Sequence, residues 1–292
     1  MKWFAGLESI VRRDEPLARR TWFHIGGPAE YFVQPQSVEQ LAEVVRRCRA
    51  EEVSVRVLGD GANLLVDDAG VKGAVVHLSA DAFRQIRCVE GLLESGAGAD
   101  MPKLVLQCVR QGWAGLECLT GIPGTVGGCV RMNAGGRFGD VGSVVESIEV
   151  MDNDGAVFTR TRDDLVFGYR STNVTSKFIL AATFRMTEDD PHRILRQVKE
   201  IWIYKKNSQP LGHPNAGCIF KNPRGLSAGA LIDQAGMKGQ RVGGAYVAQK
   251  HANFILADPG TRASDVLKLI NLVREAVYNK FEVYLELELE VW

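Results

Sequence analysis

Nowhere does the chain reach the roughly 20 consecutive apolar residues of a membrane-spanning helix, so no membrane association is expected. It has no charge excess either: 35 Lys and Arg balance 35 Asp and Glu. A nucleic-acid binder normally carries a basic excess or stripe. Here only short pairs such as Arg12-Arg13, Arg46-Arg47 and Lys205-Lys206 occur, and these read as solvated surface, so no nucleic-acid partner is expected. The six cysteines, Cys48, Cys88, Cys108, Cys118, Cys129 and Cys218, form no CxxC pair, and no His stands at zinc-ligand spacing from them. A metal site is therefore not expected, and they read as reduced, mostly buried thiols of a cytoplasmic protein. The segment Met1–Gly6 lacks the apolar run of a secretory leader. No internal repeat or low-complexity tract is present.

What remains is a 292-residue chain with 46% hydrophobic residues, enough for a real core and for more than one domain. Ser37 to Cys48 reads as an amphipathic helix, with Ser37 as N-cap and Gln40 as its capping-box partner. Strands are expected over 53–58 and 73–78, on either side of the loop "GDGANLL". A helix over 102–111 should end at Gly112. Strands are expected over 144–151, 156–161 and 178–186, the first two joined by the turn "DNDG". Helices follow over 193–205 and 264–278, the latter burying Val266, Leu267, Ile270, Val273 and Val277. The chain closes on an alternating strand over 282–291, with Leu and Val on one face and Glu282, Glu286, Glu288 and Glu290 on the other. The composition shift at "TEDDPH" suggests a boundary near residue 190.

The chemistry concentrates in glycine. "GIPGTVGGCVRMNAGG", Gly121 to Gly136, has six glycines, and Gly59-Asp60-Gly61 and Gly96-Ala97-Gly98 add two shorter loops. Bare backbone at a strand end lets N–H groups approach phosphate oxygens. Neither short loop completes the dinucleotide fingerprint GxGxxG, because Leu64 and Met101 stand where its third Gly belongs. Tight turns alone would account for any one loop; three of them favour a bound diphosphate. Asn63 and Asn133 could bond that ligand or cap a turn.

Longer segments carry a resemblance. They are "TWFHIGGPAEYFVQP" (21–35), "LGDGANLLV" (58–66), "GLECLTGIPGTVGGCVRMNAGGRFG" (115–139), "FGYR" (167–170), "NAGCIFKNP" (215–223) and "AGALIDQAGMKGQRVGGAYVAQKHANFI" (228–255). In this order, and with the Glu-rich C-terminus, they resemble the UDP-N-acetylenolpyruvoylglucosamine reductases over nearly the whole chain. The resemblance implies an α+β chain. A two-subdomain FAD-binding fold of the vanillyl-alcohol-oxidase (PCMH-like) type over 1–78 and 79–190 would be followed by an α+β UDP-sugar-binding domain over 191–292. It implies noncovalent FAD held by Gly59, Asp60, Gly61, Asn63, Leu64, Gly121, Pro123, Gly124, Gly127, Gly128, Asn133 and Gly135. It also implies NADPH as reductant, UDP-N-acetylglucosamine-enolpyruvate as substrate, and a monomer.

The implied reaction delivers a hydride to the enolpyruvyl methylene carbon and a proton to its neighbour. It needs a group to hold the enolate and one proton donor. The resemblance assigns Arg170 and Glu288 to the enolate, and Tyr169, Gln209, Lys221 and Asn222 to the substrate. Periodicity does not separate Glu288 from Glu286 or Glu290. The family's usual Pro before that Glu is Leu287 here, and Glu290 stands where an Arg is expected. Cys218 occupies the position of the family's proton-donating Ser, and a thiol of ordinary pKa about 8.5 is a better acid than a hydroxyl; an inert packed thiol is the competing reading. Only Ser171 to Lys177 precede the strand at Phe178, so the chain resembles the shorter subtype without a Tyr clamp loop. The competing functions are a flavin oxidase or dehydrogenase of the same fold acting on another substrate, and a noncatalytic binder of flavin or nucleotide sugar.

Overall fold

Ser37 opens the first long helix as its sequence predicts. Its hydroxyl accepts from Gln40 N–H, and α1 runs Val38–Ala50 with Leu41, Val44, Val45 and Cys48 buried. The Gln40 carboxamide reaches back one residue further than a capping box requires, accepting from Gln36 N–H at 2.7 Å. The computed structural model describes residues 3–292; Met1 and Lys2, the start of the N-terminal segment read above, lie outside them.

Two compact units emerge. The first comprises Met1–Asp14, Glu30–Asp60 and Lys72–Lys205. It holds two cores. One packs α1 on a four-stranded sheet in the order Val11–Pro16, Pro28–Val33, Val71–His77, Val55–Leu58. The last two strands are parallel, Val55 opposite Ala74. The other core lies against a five-stranded antiparallel sheet in the order Val157–Thr161, Val145–Met151, Phe178–Arg185, Leu92–Gly96, Ile86–Val89. On it pack α2 (Met101–Gln111) and the short α3 (Val126–Arg131). Asp100 caps α2 through Lys103 N–H, and Gly112 ends it in the left-handed region at φ 73°.

The second unit comprises Glu15–Ala29, Gly61–Val71 and Lys206–Trp292. Its core joins α5 (Ala228–Gln234), α6 (Ala263–Phe281) and a three-stranded sheet of Arg241–Val242, Ala245–Val247 and Ile255–Ala257. Phe23, Ile25 and Leu65, from the two early segments, belong to that core.

Two expectations need correction. The division near residue 190 does not separate compact units, because α4 (Pro191–Ser208) buries Ile194 and Val198 in the second core of the first unit. "TEDDPH" is polar because it is mostly exposed: Thr187–Glu188 is a short strand paired with Trp113–Ala114, and α4 begins at Pro191. The C-terminal run is also not one long strand. Glu282 is the left-handed C-cap of α6 at φ 58°, and the regular pairing is confined to Glu290–Val291, parallel to Leu64–Leu65. Alternation still sets the faces at Leu285 and Leu289, which are buried, whereas Val291 is exposed.

Candidate functional site

The glycines of residues 121–136 have different neighbours. A Cβ at Gly127 would stand 2.8 Å from Ala97 Cβ, and at Gly135 only 2.4 Å from Gly139 O. At Gly121, φ 68°, it would lie 3.1 Å from the Trp202 ring. Part of this glycine content is therefore explained by the protein's own packing, which the cofactor assignments did not foresee. Gly59 likewise faces Thr125 Oγ1, and Gly61, at φ 64°, faces the Arg20 carbonyl. Gly128 differs. It is exposed, and a Cβ there would meet nothing closer than Thr125 Oγ1 at 3.4 Å. Gly124, at φ 135°, and the half-buried Pro123 complete the turn into α3, whose N-cap Thr125 accepts from Gly128 N–H.

A cleft of about 100 Å³ opens beside these residues. Gly59, Gly98 and Gly128 present backbone to it, Ile179 an apolar wall, and Arg131 and Lys177 positive charge. Bare amides with cations suit a diphosphate, and an apolar wall suits a flat ring system; these residues fit FAD. A larger cavity of about 470 Å³, between Val45, Arg49, Asp154 and Phe178, contains none of the assigned residues.

Two asparagines assigned to the cofactor are used within the protein. Asn133 is 3% exposed; its Oδ1 accepts from Gly142 N–H at 2.9 Å and its Nδ2 donates to Gly168 O at 2.8 Å. Asn63 Nδ2 donates to Glu288 O at 2.9 Å. Of the other assigned residues in that loop, Asp60 is exposed and Leu64 buried.

Arg170 sits in the first unit at the tip of a hairpin that pairs Phe167 with Thr172 and Gly168 with Ser171. Tyr169 and Arg170 form its two-residue turn. Tyr169 is 54% exposed, and its ring centroid lies 5.3 Å from the Arg170 guanidinium carbon. Arg170 has φ 53°, a left-handed conformation that a non-glycine residue holds only under constraint. In the same unit Lys205, read from sequence as solvated, is buried and donates from Nζ to Thr120 O at 2.6 Å. Burial pushes its ammonium down to about 8, and the Arg170 charge acts in the same direction. No pattern in "IYKKNS" distinguishes this lysine from its exposed neighbour Lys206.

In the second unit the segment that carries Cys218 runs beside the segment that carries Glu288. Phe220 bridges Leu287, Glu288 N–H donates to Ile219 O at 2.9 Å, and Lys221 N–H donates to Glu286 O. Glu288 is half-buried, whereas Glu286 and Glu290 are exposed, and Glu286 approaches Lys221 at 3.7 Å. Asn253, missed from sequence, clamps this segment: its Oδ1 accepts from Phe220 N–H and its Nδ2 donates to Phe220 O. An asparagine in an apolar run, "HANFIL", is the signal that could have found it, because a buried carboxamide must satisfy both ends. Asn222 is exposed, and its oxygen accepts from Ala228 N–H at the start of α5. Gln209 is half-buried beside the buried Pro210. Cys218 is half-buried. Burial drives the thiols of Cys48, Cys108 and Cys129 up to about 12 and that of Cys118 to about 11. Among the described residues no cluster of His, Cys, Asp or Glu could hold a metal ion, and no helix is long and apolar enough to cross a membrane.

Comparison with known proteins identifies the family. A family model described as "FAD binding domain" matches residues 29–161. Another, described as "UDP-N-acetylenolpyruvoylglucosamine reductase, C-terminal domain", matches residues 209–292. The UDP-N-acetylenolpyruvoylglucosamine reductase of Lachnoclostridium phytofermentans is 38% identical, covering 96% of this chain and 92% of the relative. That of Moorella thermoacetica is 40% identical, covering 98% and 95%. The crystal structure of the Thermus caldophilus enzyme superposes with a TM-score of 0.82 at 40% identity, covering 97% of this chain and 98% of that one. A glucose dehydrogenase, 14% identical with a TM-score of 0.50 over 65% of this chain and 45% of its own, shares the fold alone. The chain therefore belongs to the UDP-N-acetylenolpyruvoylglucosamine reductase family and has its α+β architecture, with an FAD-binding fold of the vanillyl-alcohol-oxidase type.

Proposed function

We propose that the chain uses NADPH to reduce the enolpyruvyl ether of UDP-N-acetylglucosamine-enolpyruvate to UDP-N-acetylmuramate, a step of peptidoglycan precursor synthesis. FAD, when bound, carries the hydride from NADPH to the methylene carbon. Gly59, Gly124 and Gly128 offer backbone to its diphosphate. Arg170 holds the substrate carboxylate and the developing enolate through its fork of N–H donors. Glu288 helps stabilise the enolate, and Cys218 delivers the proton to the adjacent carbon. Lys221, Asn222, Gln209 and Tyr169 contact the nucleotide sugar. The reading places the protein in the cytoplasm, where NADPH is held, as a monomer.

The observation that carries this reading is the pairing of the Cys218 segment with the one glutamate of the three that is half-buried, Glu288. Backbone bonds, among them Glu288 N–H to Ile219 O at 2.9 Å, tie the segment that carries the proposed proton donor to the segment that carries the proposed acid. The test is anaerobic single-turnover reoxidation of the reduced flavin by the enolpyruvyl substrate. Cys218→Ser should keep measurable turnover, since a hydroxyl fills the same place with a weaker acid. Cys218→Ala should lose roughly two to four orders of magnitude, the range of general-acid catalysis. Product formation at the wild-type rate in Cys218→Ala would reduce the thiol to packing.

A further inference from the structure

The hairpin that carries Arg170 is short. Its two residue pairs are extended only by Asn173, whose N–H donates to Val166 O and whose Oδ1 accepts from Val166 N–H, little for an isolated hairpin. Its two-residue turn places Arg170, at φ 53°, where the backbone favours glycine or asparagine. Something outside the hairpin must fix it, and the contacts identify what does.

On the leading arm, Asn133 Nδ2 donates to Gly168 O, two residues before Arg170. The same carboxamide accepts from Gly142 N–H. Gly142 is the floor on which the hairpin rests: a Cβ there would stand 2.4 Å from Phe167 Cγ. Arg162 adds a bond to Gly142 O and lies over the Phe167 ring. Just past the trailing arm, Arg131 donates to the carbonyls of Val174, Ser176 and Lys177. Arg131 ends α3 and Asn133 follows it by two residues. One short stretch, immediately after the glycines that line the cleft, therefore holds the leading arm of the Arg170 hairpin and the segment that follows its trailing arm. Asn133 is itself left-handed, at φ 45°, a conformation that asparagine tolerates better than most residues.

We infer that Asn133 is a positioning residue for the reaction: its carboxamide, bridging Gly142 and Gly168, sets the hairpin that aims Arg170. This rests on the role proposed above for Arg170. It replaces the sequence-based assignment of Asn133 to the cofactor, and the two roles separate experimentally. A group misplaced by about 1 Å can lose about 100-fold in rate without touching the reacting atoms itself.

Two variants isolate the carboxamide. Asn133→Gly keeps the left-handed backbone without steric cost and removes both hydrogen bonds. Asn133→Asp keeps the acceptor for Gly142 N–H and removes the donor to Gly168 O. Both should retain FAD, and NADPH should bleach them within about 2-fold of the wild-type rate. Reoxidation by UDP-N-acetylglucosamine-enolpyruvate should slow by about 10- to 100-fold. In an Arg170→Ala background, Asn133→Gly should add less than about 2-fold, because a positioning residue has nothing left to position. Loss of FAD in proportion to activity, equal slowing of both half-reactions, or additive losses in the double variant would each overturn the inference. So would wild-type reoxidation in Asn133→Gly with Arg170→Ala slow, which leaves the role of Arg170 standing. Wild-type reoxidation in Arg170→Ala itself would instead remove the underlying reading.

Discussion

Gly127 and Gly128 are neighbours in α3, yet an added side chain would have opposite consequences at the two positions. At Gly127 it would collide with Ala97, whose carbonyl also accepts the Gly127 N–H at 2.8 Å. At Gly128 it would project from an exposed position that lines the cleft. Gly127→Val should therefore destabilise the fold whether or not FAD is present, by the 1–3 kcal/mol usual for overpacking. Gly128→Val should leave the thermal midpoint of the apoprotein close to that of wild type, unlike Gly127→Val, yet release the flavin. Yellow, fully loaded Gly128→Val protein would remove α3 from the cofactor site. The sequence showed that this stretch was short of side chains. It could not show which glycines serve the protein and which a ligand, because both uses leave the same letter. Asn133 and Asn63 illustrate the same limit: an asparagine among glycines reads equally as ligand contact or backbone clamp. Conversely, Cys48, Cys108 and Cys129 were legible as inert thiols because their apolar neighbours on α1, α2 and α3 bury them.

At the scale of elements, the segments that carry Cys218 and Glu288 are short, and their order comes from neighbours. The C-terminal residues run beside Leu64–Leu65, with Trp292 N–H donating to Leu65 O and Asp67 N–H to Trp292 O. The loop after that pair also caps α6. Asp68 Oδ1 accepts from Ala263 N–H at 2.8 Å and Oδ2 from Ser264 N–H at 3.2 Å, satisfying two amides that a helix start leaves open. Burial pushes the Asp68 carboxyl up, but these amides and Arg262 outweigh it and hold it below the usual range. A lowered carboxylate pKa stabilises the fold above the unfolded value of about 3.9 and loses that contribution as pH falls through the folded value. Asp68→Ala should cost about 1 kcal/mol at pH 7, the value of a helix cap, measured by urea unfolding. The difference from wild type should shrink as pH drops below about 4. A difference that stays constant down to pH 2 would show that Asp68 acts through packing alone. Helix periodicity and caps made α1, α2 and α6 legible in advance. The 282–291 run was over-read because alternation reports which face a residue takes and says nothing about how many backbone partners a segment has.

At the scale of the whole molecule, the two ends of the sequence contribute to one fold in a way that linear reading misses. Residues 15–29 and 61–71 belong with the C-terminal unit, and α4 with the first. Composition suggested a boundary near residue 190, but packing shows that Ile194 and Val198 close the preceding core. The resemblance carried the function because its segments are spread over both units, from "LGDGANLLV" to "NAGCIFKNP", and family membership follows from matches at 38–40% identity over nearly the full chain. One titration tests the resulting function most directly. The purified yellow protein is reduced with one equivalent of NADPH under anaerobic conditions and then given UDP-N-acetylglucosamine-enolpyruvate. The flavin absorbance should bleach, return fully after one equivalent of the enolpyruvyl nucleotide, and leave one equivalent of UDP-N-acetylmuramate. Flavin that stays bleached with this substrate, or recolours without forming UDP-N-acetylmuramate, would contradict the proposed reaction.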